Sequence, residues 1–580
     1  MTSRNIPQID FYVPGTSYPA VSKTCLDGLG AGQAAVYRDP RRRERYLTGV
    51  YDDVARLLGA IDRNPFRPTY GCLDRQYWHY RTACFASEMY QEGVLPLAQV
   101  YVHRLPGNRW HGNTRVRELA VAALRFAARS CHADGSCDDY YPFERALGAA
   151  VFSLQAAAEA YRLLDLDDGD LLQWFDRRAS WLASHDESGH LTNHHALAAL
   201  GLWRVAQITG NTEHRDGAGA FVERVLAWQD DEGWFEEYGG ADPGYQTVTI
   251  DCLAKLRRAT GDERLDEPIR RAVRFAHHFL HPDGSYAGEY GSRGTSHYYP
   301  HGMELLAGEM PEATDLADGF LHALANGTYA RFNDDRLLAH QLGNRIEAYL
   351  DWSPLRPEPQ PATETGPASV LTHMPSAGLL VRRVGGDHTV ISTARGGVFK
   401  HFAAGHCTTD AGLLVELEDG TVAVSQVHDR NREIDVETGD DGSMRVTVSG
   451  LLKVAKFETA TPLKQSVLHL GMWSVGRWCR NLVRRLLQRR LITGGRTVPV
   501  RLTRTFVLPA TDADLQVTDR IELTAPSARV RRLAFGTDHQ SAYVAACGVY
   551  QDSVLEPWTE LSDRVEMLNR DRQVVIERLW

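Results

Sequence analysis

Between Val116 and Ala127 the apolar residues fall at Val116, Leu119, Ala120, Ala123, Leu124 and Ala127, the spacing of one helical stripe. The apolar run from Ala146 to Leu164 predicts a second helix beside it. The same alternation returns along the chain: Phe175 to Ser184 before Asn193 to Thr209, Phe221 to Gln229 before Tyr245 to Thr260, and Ile269 to Leu280 before Tyr299 to Ala307. Between the members of each pair lies a glycine turn, in the settings Asp134-Gly135-Ser136, Ser188-Gly189-His190, Glu232-Gly233-Trp234 and Asp283-Gly284-Ser285. These glycines stand 54, 44 and 51 residues apart. A repeat of that size predicts stacked helical hairpins, because one hairpin cannot bury its own apolar face. Such pairs curve into an incomplete α/α toroid, and the turns line one mouth.

The pattern changes at Ser353-Pro354-Leu355-Arg356-Pro357-Glu358-Pro359-Gln360-Pro361, which cannot continue a helix. Residues 353–369 are read as a linker. Beyond it the signal is strand-like: Gly378 to Val381, Thr389 to Ser392, Leu413 to Glu418 entering the Asp419-Gly420 turn, Met444 to Val448, Val498 to Val507 and Val530 to Phe535. The expected molecule is a multidomain α+β protein, with a toroid over 1–352 and an antiparallel β-sandwich over 370–580. One stretch breaks the second pattern. Arg477 to Arg496 reads as a basic amphipathic helix, with Arg477, Arg480, Arg484, Arg485, Arg489 and Arg490 around Leu482, Val483, Leu486 and Leu487. It suits peripheral contact with an anionic membrane or a polyanion, against the plainer reading of a solvated helix packed on the sandwich.

At 580 residues the chain is too long for one core. Its net charge of -10 argues against a general nucleic-acid binder and requires an anionic ligand to meet a local cluster of cations. Nine scattered cysteines form no paired framework. The first residues lack the apolar run of a signal peptide, so a cytoplasmic protein is expected.

The segments after the four turns are rich in chemical groups: Asp138-Asp139-Tyr140-Tyr141, Asn193-His194-His195, Tyr238 through Asp242 to Tyr245, and Arg293 followed by His297-Tyr298-Tyr299-Pro300-His301. Asn193 stands where a turn enters a helix, the place of an N-cap, with His194 and His195 in the first turn. Free backbone N–H groups there favour a bound carboxylate. Tyr245 follows Asp242-Pro243-Gly244 and likewise stands at a helix start.

The segments Trp234 to Tyr245, Thr192 to Ala196 and Gly288 to Arg293 resemble heparinase II/III-type proteins, relatives of the alginate and glycosaminoglycan lyases. The resemblance continues through Gly396 to Phe402 and Gly405 to Asp410. It implies β-elimination at a uronic acid: abstraction of the C5 proton α to a neutralised carboxylate, with departure of the C4 oxygen. It implies Asn193 and His194 as the neutralising groups, Tyr245 as the proton-transferring tyrosine, His406 as the sandwich histidine with His401 as a second possibility, and Arg293 beside them. His195, Tyr141, Tyr238, Asp242, His297, Tyr298, Tyr299 and His301 are the expected glycan contacts. The reaction requires no cofactor; His406, Asp410 and His428 could hold a structural zinc or calcium, although Thr408 stands where metal-bearing relatives have a second histidine. The implied partner is an anionic glycan or glycan intermediate. Three alternatives stand beside the lyase: a uronyl C5-epimerase, a non-catalytic glycan-binding protein, and a hydrolase using two of Asp138, Asp139, Glu236, Glu237 and Asp242.

Overall fold

The helical stripes form where their spacing predicts. The computed structural model describes residues 35–186, 189–332, 334–357, 369–455, 459–479, 481–483, 486–487, 496–511, 514–536 and 551–580. Six outer–inner pairs follow one another: α1 (Val50–Ala60) and α2 (Val94–Val102), α3 (Thr114–Ser130) and α4 (Leu147–Leu163), α5 (Gly169–Ala183) and α6 (Thr192–Thr209), α7 (Thr212–Ala227) and α8 (Pro243–Thr260), α9 (Asp266–His277) and α10 (Pro300–Leu306), α11 (Pro311–Asn326) and α12 (Leu338–Asp351). Side chains start several of them: Asn113, Asp168, Asn211 and Asp242 each accept a backbone N–H in the first turn of the helix that follows. Left-handed Gly210, Gly261 and Gly327 end α6, α8 and α11. The even-numbered helices pack each on the next, and α12 packs on α2, so the inner layer comes full circle. The sequence pattern marked only four of these six pairs: the first has the same turn at Gly71, whose Cβ would lie 2.1 Å from the Ala122 oxygen in α3, but in the unmarked setting Tyr70-Gly71-Cys72, and the last has no glycine wedged in this way.

Three of the four turns owe their glycines to the neighbouring repeat, whereas Gly189 serves only its own positive φ. A Cβ on Gly135 would lie 2.6 Å from the Arg178 nitrogen in α5, one on Gly233 2.4 Å from the Arg271 oxygen in α9, and one on Gly284 2.7 Å from the Gly319 oxygen in α11. All three have φ between +83° and +97°. Each turn is therefore wedged against the backbone of the next outer helix.

The second half contains two antiparallel sheets. One has five strands in sequence order: β5 (Ser369–Met374), β6 (Leu379–Val384), β7 (Asp387–Ser392), β8 (Val398–Ala403) and β9 (His406–Asp410). The other has nine, including β10 (Gly412–Leu417), β13 (Met444–Val454), β14 (Thr497–Leu508) and β15 (Gln516–Leu523). Period-two alternation gives the five-stranded sheet two distinct faces. Leu380, Ile391 and Phe399 pack with Val446, Val448, Phe506 and Val517 of the larger sheet, whereas Leu379, Val381, Val390 and Val398 join the core of the helical layer. Within the expected linker, Leu355–Pro357 form a strand that pairs with Ala35–Tyr37, tying the first described residues to the end of α12.

The insertion between β13 and β14 differs from the expectation. Its helix begins earlier, at α13 (Pro462–Gly471), and winds on through one wider π-helical stretch at Met472–Gly476. Much of the predicted 477–496 helix lies outside the described residues; 481–483 and 486–487 are helical.

Candidate active site

The turns from outer to inner helices bring the first turns of α4, α6, α8, α10 and α12 to one mouth. Ring contacts link them in a circuit. His194 on α6 meets Phe152 of α4 edge-on, with ring centroids 6.0 Å apart, and Phe152 stacks on His340 of α12 at 4.2 Å. His340 meets Phe332, Phe332 meets His297 at 4.8 Å, and His297 lies edge-on to Tyr245 at 5.0 Å. Tyr245 and Tyr238 are 6.5 Å apart, and the Arg293 guanidinium lies 4.2 Å over the Tyr238 ring. The structure thus gathers His194, Tyr238, Tyr245, Arg293 and His297 around one opening.

Asn193 adjoins this circuit and is not an N-cap: α6 begins at Thr192, and the Asn193 N–H is taken by the Glu237 Oε1 at 2.6 Å. Glu237 supplies from β2 (Glu236–Glu237) the acceptor that no local side chain provides. Asn193 is 1% exposed, and neither end of its amide meets a hydrogen-bond partner; Glu237 Oε2 is equally unpartnered. Unsatisfied buried polar atoms cost on the order of 1–3 kcal/mol each, which favours a ligand that completes them. Burial, the largest influence, pushes the Glu237 carboxyl well above the ordinary carboxylate range, so it is held as the neutral acid. Burial alone lowers His194 to about 4, and burial with a smaller contribution from His340 lowers His297 to about 3. Both imidazoles are neutral at pH 7. The Tyr245 phenol is raised, chiefly by burial, and stays protonated.

Asp242 belongs to the scaffold. It is 1% exposed; its Oδ1 accepts the Tyr245 N–H at 3.1 Å and the Thr295 hydroxyl, and its Oδ2 accepts the Arg293 N–H at 2.8 Å. One carboxylate therefore starts α8 and fixes the Arg293 loop. Tyr299 caps the start of α10, where its N–H donates to the Thr247 hydroxyl at 3.1 Å.

Several expected contacts fall elsewhere. His195 faces away from the opening, bonded to the Leu191 carbonyl at 3.0 Å and Asp186 at 3.1 Å, because adjacent helical residues point about 100° apart. Tyr298 stacks on Phe320 in the helical core at 4.7 Å. His301 is buried deeper, 2.6 Å from Asp351, beside the Asp251–Lys255–Glu347 ion pairs. Tyr141 is buried, whereas its neighbour Tyr140 is exposed and takes a hydrogen bond from Arg336 at 2.7 Å. Three more of the carboxylates named for a hydrolase are committed as well: Asp138 to His132 and to the Phe143 and Arg145 N–H groups, Asp139 to Ser87 and Arg336, and Glu236 to His190.

The sandwich closes one side of the mouth, but not through the expected histidines. On β8, Lys400 and Phe402 face the helices, Lys400 pairing with Glu289 at 2.8 Å. His401 alternates with them and points into the sandwich, bonded to the Thr389 hydroxyl at 2.9 Å. His406 is exposed at the end of the β8–β9 hairpin, on the face shared by Asp410. Asp410 is buried among Arg504 and Arg578, so its charge is already matched. His428 lies against Gly240, where an added Cβ would be 2.6 Å from its Nε2. These three do not form a ligand set, and no metal-binding group of three occurs among the described residues. His428 is instead the sandwich histidine that reaches the mouth, lowered to about 4 mainly by burial and then by Arg395. Arg395 reinforces the junction by donating to the Gly291 and Ser292 carbonyls at 3.0 and 3.1 Å.

No family profile matches the chain, and no curated protein matches it by sequence. By structure it is similar to chondroitin AC lyase of Streptomyces coelicolor A3 in complex with chondroitin sulphate, with 12% identity, 89% of this chain and 70% of that chain covered, and a TM-score of 0.51. Heparinase III superposes at 10% identity over 94% of this chain and 83% of its own, with a TM-score of 0.48. Heparan sulfate lyase HepC from Pedobacter heparinus does so at 11% over 84% and 70%, with a TM-score of 0.38. In fold the chain is similar to chondroitin AC lyase, and its own elements define an α/α toroid carrying an antiparallel β-sandwich.

Proposed function

We propose that the protein is a polysaccharide lyase that cleaves a uronic-acid-containing glycan by β-elimination. The observation that carries this reading is the unsatisfied Asn193 amide beside a neutral Glu237 carboxyl, in the same mouth as Tyr245 and His194. A uronate carboxylate seated there accepts hydrogen bonds from both, which lowers the cost of placing charge on C5. Neutral His194 then takes the C5 proton; the bound anion raises its affinity for that proton. The C4–O bond breaks as the C4–C5 double bond forms, and the Tyr245 phenol protonates the departing oxygen. Arg293 holds the aromatic floor at Tyr238, and His428 closes the site from the sandwich side. The fold shared with chondroitin AC lyase supports this chemistry.

Incubation with a panel of uronate glycans, followed for unsaturated-uronate absorbance and for deuterium uptake at C5, tests the reading. Absorbance is the expected result. Deuterium uptake without absorbance would reassign the protein as an epimerase, and binding with neither would leave a glycan-binding protein.

A further inference from the structure

Eight of the seventeen large hydrophobic side chains exposed among the described residues fall within a span of 24: Leu463, Val467, Leu470, Trp473, Val475, Trp478, Leu482 and Leu486. All lie in the helical insertion between β13 and β14. Leu463, Val467 and Leu470 repeat at intervals of four and three, and Trp478, Leu482 and Leu486 at intervals of four, which makes a stripe along a helix. A stripe this long is not left in water without a partner. The charge of the same segment is one-sided. Residues 459–496 contain Lys464, Arg477, Arg480, Arg484, Arg485, Arg489, Arg490 and Arg496 and no Asp or Glu, in a chain whose net charge is -10.

We propose that this insertion docks the protein on an anionic lipid bilayer, with the apolar stripe at the boundary of headgroups and acyl chains and the arginines on lipid phosphates. A basic cluster alone would serve a soluble polyanion equally well; exposed Leu, Val and Trp gain nothing from such a ligand and gain burial in a membrane. No described helix is long and apolar enough to cross a membrane, so the contact is peripheral. The insertion also adjoins the mouth: Trp473 meets Phe143 edge-on at 5.4 Å, three residues from Tyr140, whose phenol is close enough to Tyr238 and Tyr245 to act on both. Docking therefore holds the opening of the toroid close to the lipid surface.

Co-sedimentation of the full-length protein decides the matter, using phosphatidylcholine vesicles with and without roughly one-third phosphatidylglycerol. Binding to the anionic vesicles is expected, with weak binding to phosphatidylcholine alone. The triple variant Trp478→Ser, Leu482→Ser, Leu486→Ser should lower the partition coefficient at least about tenfold. Replacing Arg477, Arg484 and Arg485 by Gln should do the same. Arg477, Trp478, Leu482 and Leu486 are exposed, and circular-dichroism melts matching the parent establish that both variants fold. Vesicle binding unchanged in the apolar variant overturns the proposal, as does binding to heparin with none to vesicles. The outcome does not depend on glycan cleavage, so the two readings fail separately.

Discussion

At the scale of single residues, the Asn193 amide is the group that most needs a ligand, and Tyr245 the one most suited to move a proton. Tyr245→Phe should abolish turnover while leaving glycan affinity within about twofold, since the ring supplies the contact and the hydroxyl acts only in the reaction. Asn193→Ala should weaken both, with a loss of about 3 kcal/mol in the barrier; single-turnover kinetics and calorimetric titration separate the two effects. Two glycines offer a finer probe. A Cβ on Gly148 would lie 2.8 Å from His194 Cε1, and one on Gly240 2.6 Å from His428 Nε2. Gly148→Ala favours helix by about 0.5–1 kcal/mol, so its predicted loss of turnover arrives without a loss of melting temperature. If Gly240→Ala alone lowers turnover, the proton acceptor is His428 rather than His194. Because His194 must be neutral to accept the proton and is lowered to about 4, kcat/KM should hold steady down to about pH 4 and fall below it. An acid limb at the ordinary histidine value would exclude His194 from that role.

Single elements show where the sequence was legible. Four glycine turns announced four hairpins, since all four need a positive φ and three of them place it against a neighbouring backbone, and the strand runs from Leu379 to Phe535 stood out by period and turn residues. The first hairpin carries the same device at Gly71, unmarked by its neighbours Tyr70 and Cys72, and the last carries no glycine wedged in this way. Site residues were harder to read, for a geometrical reason: a local pattern locates a residue on an element but leaves open which way the element turns. Tyr140 and Tyr141, and His194 and His195, are adjacent pairs in which only the packed structure selects the member facing the mouth, and in Lys400 and His401 it selects the member facing the helices. Glu237, legible only as one acid among several, owes its importance to the distant Asn193 N–H. Asp242 shows what an element start is worth here. Asp242→Ala removes the cap of α8 and releases the Arg293 loop together, and should cost more than the ~1 kcal/mol typical of a lost cap, with activity lost in parallel. Thermal melts and turnover of the same variant check both.

Across the whole molecule, buried histidines mark the seam between the helices and the five-stranded sheet. His281 lies 4.6 Å from Phe402 and 5.6 Å from His388. Burial, aided by nearby cations and histidines including Arg383, lowers His388 to about 3 and places His281 well below its ordinary value. The unfolded chain therefore binds more protons than the folded one between about pH 6.5 and 3, and stability should fall steadily as the pH drops through that window; denaturant melts at stepped pH measure the slope. The sheet at this seam has a further consequence. Since Leu379, Val381, Val390 and Val398 serve the helical core while Leu380, Ile391 and Phe399 serve the sandwich, neither half can be excised with a finished surface. A fragment ending at Pro357 would bare the apolar ground on which the sheet rests, and one beginning at Ser369 would bare the sheet itself. Expressed singly, both pieces should aggregate; expressed together, they should reassociate into a working whole, a split protein whose complementation needs no added tether.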